Sequence, residues 1–253
     1  MIFTSYVAVG DSFTEGVGDE LPDGSVRGWA DLVALGLAYA SADPVRYANL
    51  AIRGRKLAPI ATEQMDAAIA LGPQLISING GGNDIMRPRV SIDDISQQLI
   101  DSVDRAVDAG AHVLLASGAN PMRHIPLGAR MEPRGDHLAR AVQAHLPREH
   151  VTWVDNWSDR ELTELRYWSR DRLHLGPAGH RRVASNVLAA LEVPLPDFGP
   201  EPAEPARPRT AEYWRSYVLP WIGRRLTGRS SGDGREPKLA ELTVVPTSFP
   251  SAP

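Results

Sequence analysis

Short aliphatic and β-branched runs alternate along the chain with longer stretches whose apolar positions recur every three or four residues. Five of the short runs, residues 6–9, 45–50, 75–79, 112–117 and 151–155, read as buried strands of about five residues. Residues 29–40, 57–71, 92–109, 132–146 and 177–191 carry the periodicity of amphipathic helices, and Pro177 suits a first helical position. Strand–helix alternation predicts parallel strands joined by right-handed crossovers, with helices on both faces of the sheet. The expected fold is α/β, a three-layer α/β/α sandwich around a five-stranded parallel sheet in the flavodoxin-like order 2-1-3-4-5. Ligands of such sheets sit outside the carboxyl ends of the strands.

The alternation stops near residue 193. Residues 194–253 hold 11 of the 21 prolines. Proline has a fixed φ and no N–H, which excludes long helices and central strands there. Residues 1–193 are therefore expected to form the domain, long enough to bury a core, and 194–253 a Pro-rich linker and C-terminal arm. Within the arm, Tyr213, Trp214, Tyr217, Val218, Trp221 and Ile222 share one face of a helix that Pro220 must kink or break. Such a face predicts docking: onto the protein's own body first, with a lid, a homo-oligomer contact or, given Arg215, Arg224, Arg225 and Arg229 beside it, a membrane surface as the alternatives.

Composition removes several classes of function. The 27 Lys and Arg residues do not exceed the 31 Asp and Glu, so the chain lacks the surplus of cations a nucleic-acid partner requires. There is no cysteine, hence no disulfide, thiolate metal site or cysteine nucleophile. Lys56 and Lys238 are the only lysines, which leaves little room for Schiff-base or P-loop chemistry. No apolar run approaches the length of a transmembrane helix, and the first residues lack a basic region and a small-residue cleavage site. A cytoplasmic enzyme is the expectation.

The polar residues of interest fall at strand ends. Strand one runs into GDSFTEG, residues 10–16, where Asp11 or Ser12 could simply cap a helix and Ser12 could equally stand exposed at the sheet rim. Strand two leads to Gly54, a tight turn or a backbone N–H offered to a ligand. Strand three ends in NGGGND, residues 79–84, where Asn83 supplies a neutral donor suited to an oxyanion. In DRLHLGPAGH, Asp171 precedes His174 by three residues, a spacing that lets the carboxylate orient the imidazole as a general base. His112, His124, His137, His145, His150 and His180 have no such partner and read as exposed. GRSSG, residues 228–232, fits a G-x-S-x-G nucleophile elbow, but no strand precedes Ser230 and no histidine follows it.

Together and in this order, the four blocks resemble those of the SGNH hydrolases, the GDSL-type esterases and acyl hydrolases. The likeness covers about residues 4–192 through Gly10, Asp11 and Ser12, Gly54, Gly81 and Asn83, then Asp171 and His174, with GDSF in place of GDSL. It implies hydrolysis of small-molecule esters without metal or cofactor: Ser12 the nucleophile, His174 the base, Asp171 its orienter. The oxyanion hole would then comprise Ser12, Gly54 and Asn83. An acyltransferase would use the same residues, and a non-catalytic flavodoxin-like module binding an anion or nucleotide is the alternative from another class. Residues 118–132 include Pro121, Met122, Ile125, Leu127 and Met131, enough apolar surface to line an acyl pocket. Arg87, Arg89, Arg123, His124 and Arg130 are candidates for contact with a polar substrate. A short acyl ester, of a sugar or a small metabolite, is the expected substrate class.

Overall fold

Six strands form one sheet in the order β5-β4-β3-β1-β2-β6. They are β1 (Ser5–Val9), β2 (Arg46–Asn49), β3 (Leu75–Ile78), β4 (His112–Ala116), β5 (Val151–Val154) and β6 (Leu239–Val244). The computed structural model describes residues 2–227 and 229–246. The first five strands are parallel and take the expected order, with Val7 opposite Ala48 on one side and Ile76 on the other. The sheet differs from expectation in its sixth strand, which comes from the arm and pairs antiparallel with β2. Its residues are mostly exposed and lie between Pro237 and Pro246, so no buried run marked it. Proline beside a strand is compatible with a sheet edge, where one row of backbone groups needs no partner.

The helices are α1 (Ser12–Glu15), α2 (Trp29–Ala40), α3 (Leu57–Pro59), α4 (Met65–Ala70), α5 (Gly82–Ile85), α6 (Ile92–Asp108), α7 (Gly128–Gln143), α8 (Pro177–Ala190), α9 (Thr210–Tyr213) and α10 (Leu219–Leu226). Side chains of a strand alternate between faces, and β1 feeds both layers. Tyr6 and Ala8 join Trp29, Leu32 and Leu37 of α2 and Val183, Val187 and Leu188 of α8. Val7 and Val9 join Leu57, Met65, Leu99, Val103 and Val142 from α3, α4, α6 and α7. Burial of each such aliphatic side chain contributes about 1.5–3 kcal/mol.

Two of the expected helices are interrupted. Between α3 and α4 the chain makes a π-turn, Ile60–Gln64, and a second π-turn, Trp214–Val218, separates α9 from α10. A π-turn inserts one residue and re-aims the side chains beyond it. In the arm it lies just ahead of Pro220, whose ring and missing N–H an unbroken α-helix could not take. Tyr213 and Val218 of this segment are buried, whereas Trp214 and Leu219 remain exposed. Helix α7 begins at Gly128, four residues earlier than expected and with Pro133 inside it. A Cβ on Gly128 would lie 1.8 Å from the Met122 carbonyl oxygen, so the tight packing of this helix start requires glycine. Among the described residues no helix is long and apolar enough to cross a membrane.

Candidate active site

The sharp turn after β1 is built by Gly10 and held by Gln64. A Cβ on Gly10 would stand 2.4 Å from Thr14 Oγ1. Gln64 accepts from the Gly10 N–H at 2.8 Å and donates to its carbonyl at 3.0 Å, an arrangement the π-turn makes by pointing this side chain inward. Asp11 caps α1, its Oδ1 accepting from the Phe13 N–H at 3.1 Å. Capping therefore falls to Asp11, and Ser12 occupies the first helical position, where backbone N–H groups have no intrahelical acceptor.

The loop ahead of α8 meets this turn from the other side. His174 Nε2 lies 3.1 Å from Ser12 Oγ, and His174 Nδ1 lies 2.5 Å from Asp171 Oδ2. Asp171 Oδ1 accepts from Ser169 Oγ at 2.7 Å and from the N–H groups of Leu173 and His174, each at 3.0 Å. Burial alone would raise the Asp171 pKa, but the imidazole's charge and these donors hold it well below the usual carboxylate range. Burial would likewise depress His174, and the Asp171 carboxylate outweighs it, so the imidazole pKa rises above its ordinary value. With Nδ1–H given to Asp171, Nε2 is the nitrogen left to accept from the Ser12 hydroxyl.

The other two predicted residues are Gly54 and Asn83. Gly54 follows β2 with φ +73°, in the left-handed region, outside the cavity lining described below. Asn83 is in α5, and its Nδ2 donates to Asp11 Oδ2 at 2.9 Å and to the Arg55 carbonyl at 3.0 Å. Burial pushes the Asp11 carboxyl up to about 6, against the hydrogen bond from Phe13 and the charge of His174.

Ser12, His174 and Asn83 are among the residues lining a cavity of about 140 Å³ that is also bordered by the sheet, α6, α7 and the loop ahead of α8. Its walls are apolar: Leu99, Leu115, Leu138, Val142, Trp153 and Trp157 are among them. Of the segment 118–132, Gly118, Ala119, Pro121 and Met122 line the cavity, and Ile125 and Met131 pack beside it. Leu127 points away, 67% exposed. Arg87, Arg89, Arg123 and Arg130 are exposed and do not line the cavity. His124 is half-buried, its Nε2 3.0 Å from the Thr163 carbonyl oxygen.

His180 corrects the reading of the lone histidines as exposed. It is wholly buried, its Nδ1 accepts from the Trp29 N–H at 3.2 Å, and its Nε2 lies 3.3 Å from the Val17 carbonyl oxygen. Burial drives its pKa down to about 3, so it is a neutral structural pin. The residues that sequence reasoning missed are those that brace the site: Gln64, Ser169, and Glu15, whose carboxylate holds the Arg53 N–H at 2.6 Å. Each contact joins segments or roles that no local motif announces. Among the described residues no group of three or more His, Asp or Glu side chains could hold a metal ion.

A parallel α/β/α sheet with Ser12 just after its first strand and His174 ahead of its last helix fits the SGNH hydrolase class. The sequence profile of the GDSL-like lipase/acylhydrolase family matches residues 8–182, and the chain belongs to that family, which sets its activity among the ester hydrolases. No curated protein matches the sequence. Among solved structures, TesA is 26% identical with a TM-score of 0.58, over 74% of this chain and 98% of its own. Axe2, an acetylxylan esterase from Geobacillus stearothermophilus, is 20% identical with a TM-score of 0.60, over 78% and 97%. The lipase Lip_vut3 from a goat rumen metagenome is 19% identical with a TM-score of 0.61, over 76% and 99%.

Proposed function

We propose that the protein is a serine esterase that hydrolyses carboxylic esters of acyl chains of up to about six carbons. The observation that carries this reading is the hydrogen-bonded row from Asp171 through His174 to Ser12, whose serine and histidine line a largely apolar cavity. Ser12 Oγ attacks the ester carbonyl as His174 Nε2 takes its proton, and the C–O bond to the alcohol breaks as that proton passes to the leaving oxygen. Water then attacks the acyl-Ser12 ester through the same base, releasing the acid and restoring the serine. Asp171 holds the imidazole's tautomer and stabilises the imidazolium.

The negative oxygen of each tetrahedral intermediate is bound by the N–H groups of Ser12 and Gly54 and by Asn83. Asn83 reaches it by exchanging its bond to the Arg55 carbonyl while keeping the one to Asp11. A cavity of about 140 Å³ is close to the size of an apolar cavity that takes up benzene, about 150 Å³. We assign this space to the acyl chain, which it accommodates up to about six carbons, more than an acetyl group fills.

A fluorophosphonate probe followed by peptide mass spectrometry tests the reading, together with turnover of p-nitrophenyl hexanoate by Ser12→Ala. Labelling at Ser12 and loss of turnover in a folded Ser12→Ala protein are expected. Absence of labelling, labelling elsewhere, or full turnover by that variant would overturn it in favour of a binding module.

A further inference from the structure

The GRSSG segment that resembles a nucleophile elbow does not carry a nucleophile, yet it reaches the active-site rim. Ser230 Oγ donates to the Gly54 carbonyl at 3.2 Å and accepts from the Gly232 N–H at 3.2 Å. The Ser230 N–H is itself held by Asp233 Oδ2 at 2.8 Å, which closes the turn. Gly232 lies against the preceding peptide: a Cβ there would be 2.1 Å from the Arg53 carbonyl oxygen. Both peptide groups that flank Gly54 are thus in contact with the arm.

The same arm grips the other donor loop. Lys238 Nζ donates to the Glu15 carbonyl at 2.6 Å, to the Val26 carbonyl at 3.0 Å and to Asp31 Oδ2 at 2.6 Å. Glu15 closes α1, which begins at Ser12, and its carboxylate binds the Arg53 N–H and guanidinium. Lys238, Glu15, Arg53, Gly54 and Ser230 therefore form one connected frame around two of the three donors. The family profile ends at residue 182, and TesA is 98% covered by 74% of this chain, so about a quarter of the protein has no counterpart there.

We propose that Ser230 is a positioning residue for the oxyanion hole, fixing the Gly54 turn so that its N–H faces the reacting carbonyl. This rests on the esterase reading, and the two fail differently. Ser230 Oγ anchors the Gly54–Arg55 peptide through its carbonyl and, by accepting from the Gly232 N–H, holds Gly232 against the Arg53 carbonyl. Without the hydroxyl the Gly54 turn relaxes and its N–H swings away, withdrawing a donor that matters in the transition state and not in substrate binding, so kcat falls while KM holds. The test is steady-state hydrolysis of p-nitrophenyl hexanoate by full-length Ser230→Ala and Ser230→Thr, at a temperature well below both melting points. The expected result is a kcat about tenfold lower in Ser230→Ala, a fraction of the loss from deleting a donor outright. KM should stay within about twofold, and Ser230→Thr, which keeps the hydroxyl, should recover most of the rate. A Ser230→Ala kcat within threefold of the parent, a change carried by KM, or a Ser230→Thr as slow as Ser230→Ala overturns the proposal. An inactive parent protein instead overturns the esterase reading beneath it.

Discussion

Acyl-chain selectivity is the property most directly tied to the cavity. Each methylene moved from water into it contributes about 0.8 kcal/mol, or roughly fourfold in kcat/KM. From acetyl to hexanoyl is a gain of four methylenes, hence about 3 kcal/mol and roughly a 200-fold rise. Once the cavity of about 140 Å³ is filled, further carbons meet its packed walls and the slope should vanish or reverse. Ala139, on α7, lines the cavity. Ala139→Leu should take up about half its space and move the break to about three carbons, with acetate turnover changed less than about twofold. Initial rates on p-nitrophenyl acetate through decanoate, measured below KM for parent and variant, give both profiles. A flat parent profile, a maximum at acetate, or an Ala139→Leu profile that breaks where the parent's does would refute the assignment of the cavity to the acyl chain.

His174 must be neutral to accept a proton, and its pKa is raised by Asp171. kcat/KM should therefore climb with pH through a midpoint above the ordinary histidine value of about 6.5, and a midpoint below it would contradict the role of Asp171. Asn83→Ala should lower kcat by about 10²–10³; a loss under about threefold would reduce Asn83 to a tether for Asp11. EDTA should leave activity unchanged, and a loss restored by a divalent ion would contradict a serine mechanism. Deleting residues 210–253 removes β6 and the Lys238 bonds and should lower the melting temperature by at least about 4 °C, as followed by circular dichroism; an unchanged transition would mean the arm is not docked.

What the sequence disclosed was governed by distance along the chain. Ser12, Gly54, Asn83, Asp171 and His174 each lie in the segment between a strand and the next long helix, Ser12 and Asn83 within the short helices α1 and α5, where residue type and local context suffice to flag them. Apart from Ser169, two positions from Asp171, the bracing contacts span the fold instead. Gln64 meets Gly10 across 54 positions, Ser230 meets Gly54 across 176, and Lys238 meets Asp31 across 207. No window of periodicity contains both partners. The sixth strand escaped for a related reason, because an exposed edge strand lacks the buried alternation that marks the other five. The π-turns escaped because one inserted residue scarcely disturbs an apolar stripe, although it decides where Gln64 points.

The antiparallel strand β6 also imposes an order of events during synthesis. Every strand of the parallel sheet has emerged by Val154, and α8 ends at Ala190, yet the free side of β2 waits for residues 239–244. At about 5–20 residues per second, the interval between Ala190 and Val244 lasts roughly 3–10 s. Throughout it the nascent body displays an unpaired parallel edge, the kind of surface that recruits a neighbouring chain. The turn that braces Gly54 arrives in the same final portion, so closure of the edge and completion of the catalytic rim coincide. A nascent chain arrested before β6 would then combine a nearly finished core with an open edge and an unbraced rim, a state in which association competes with maturation.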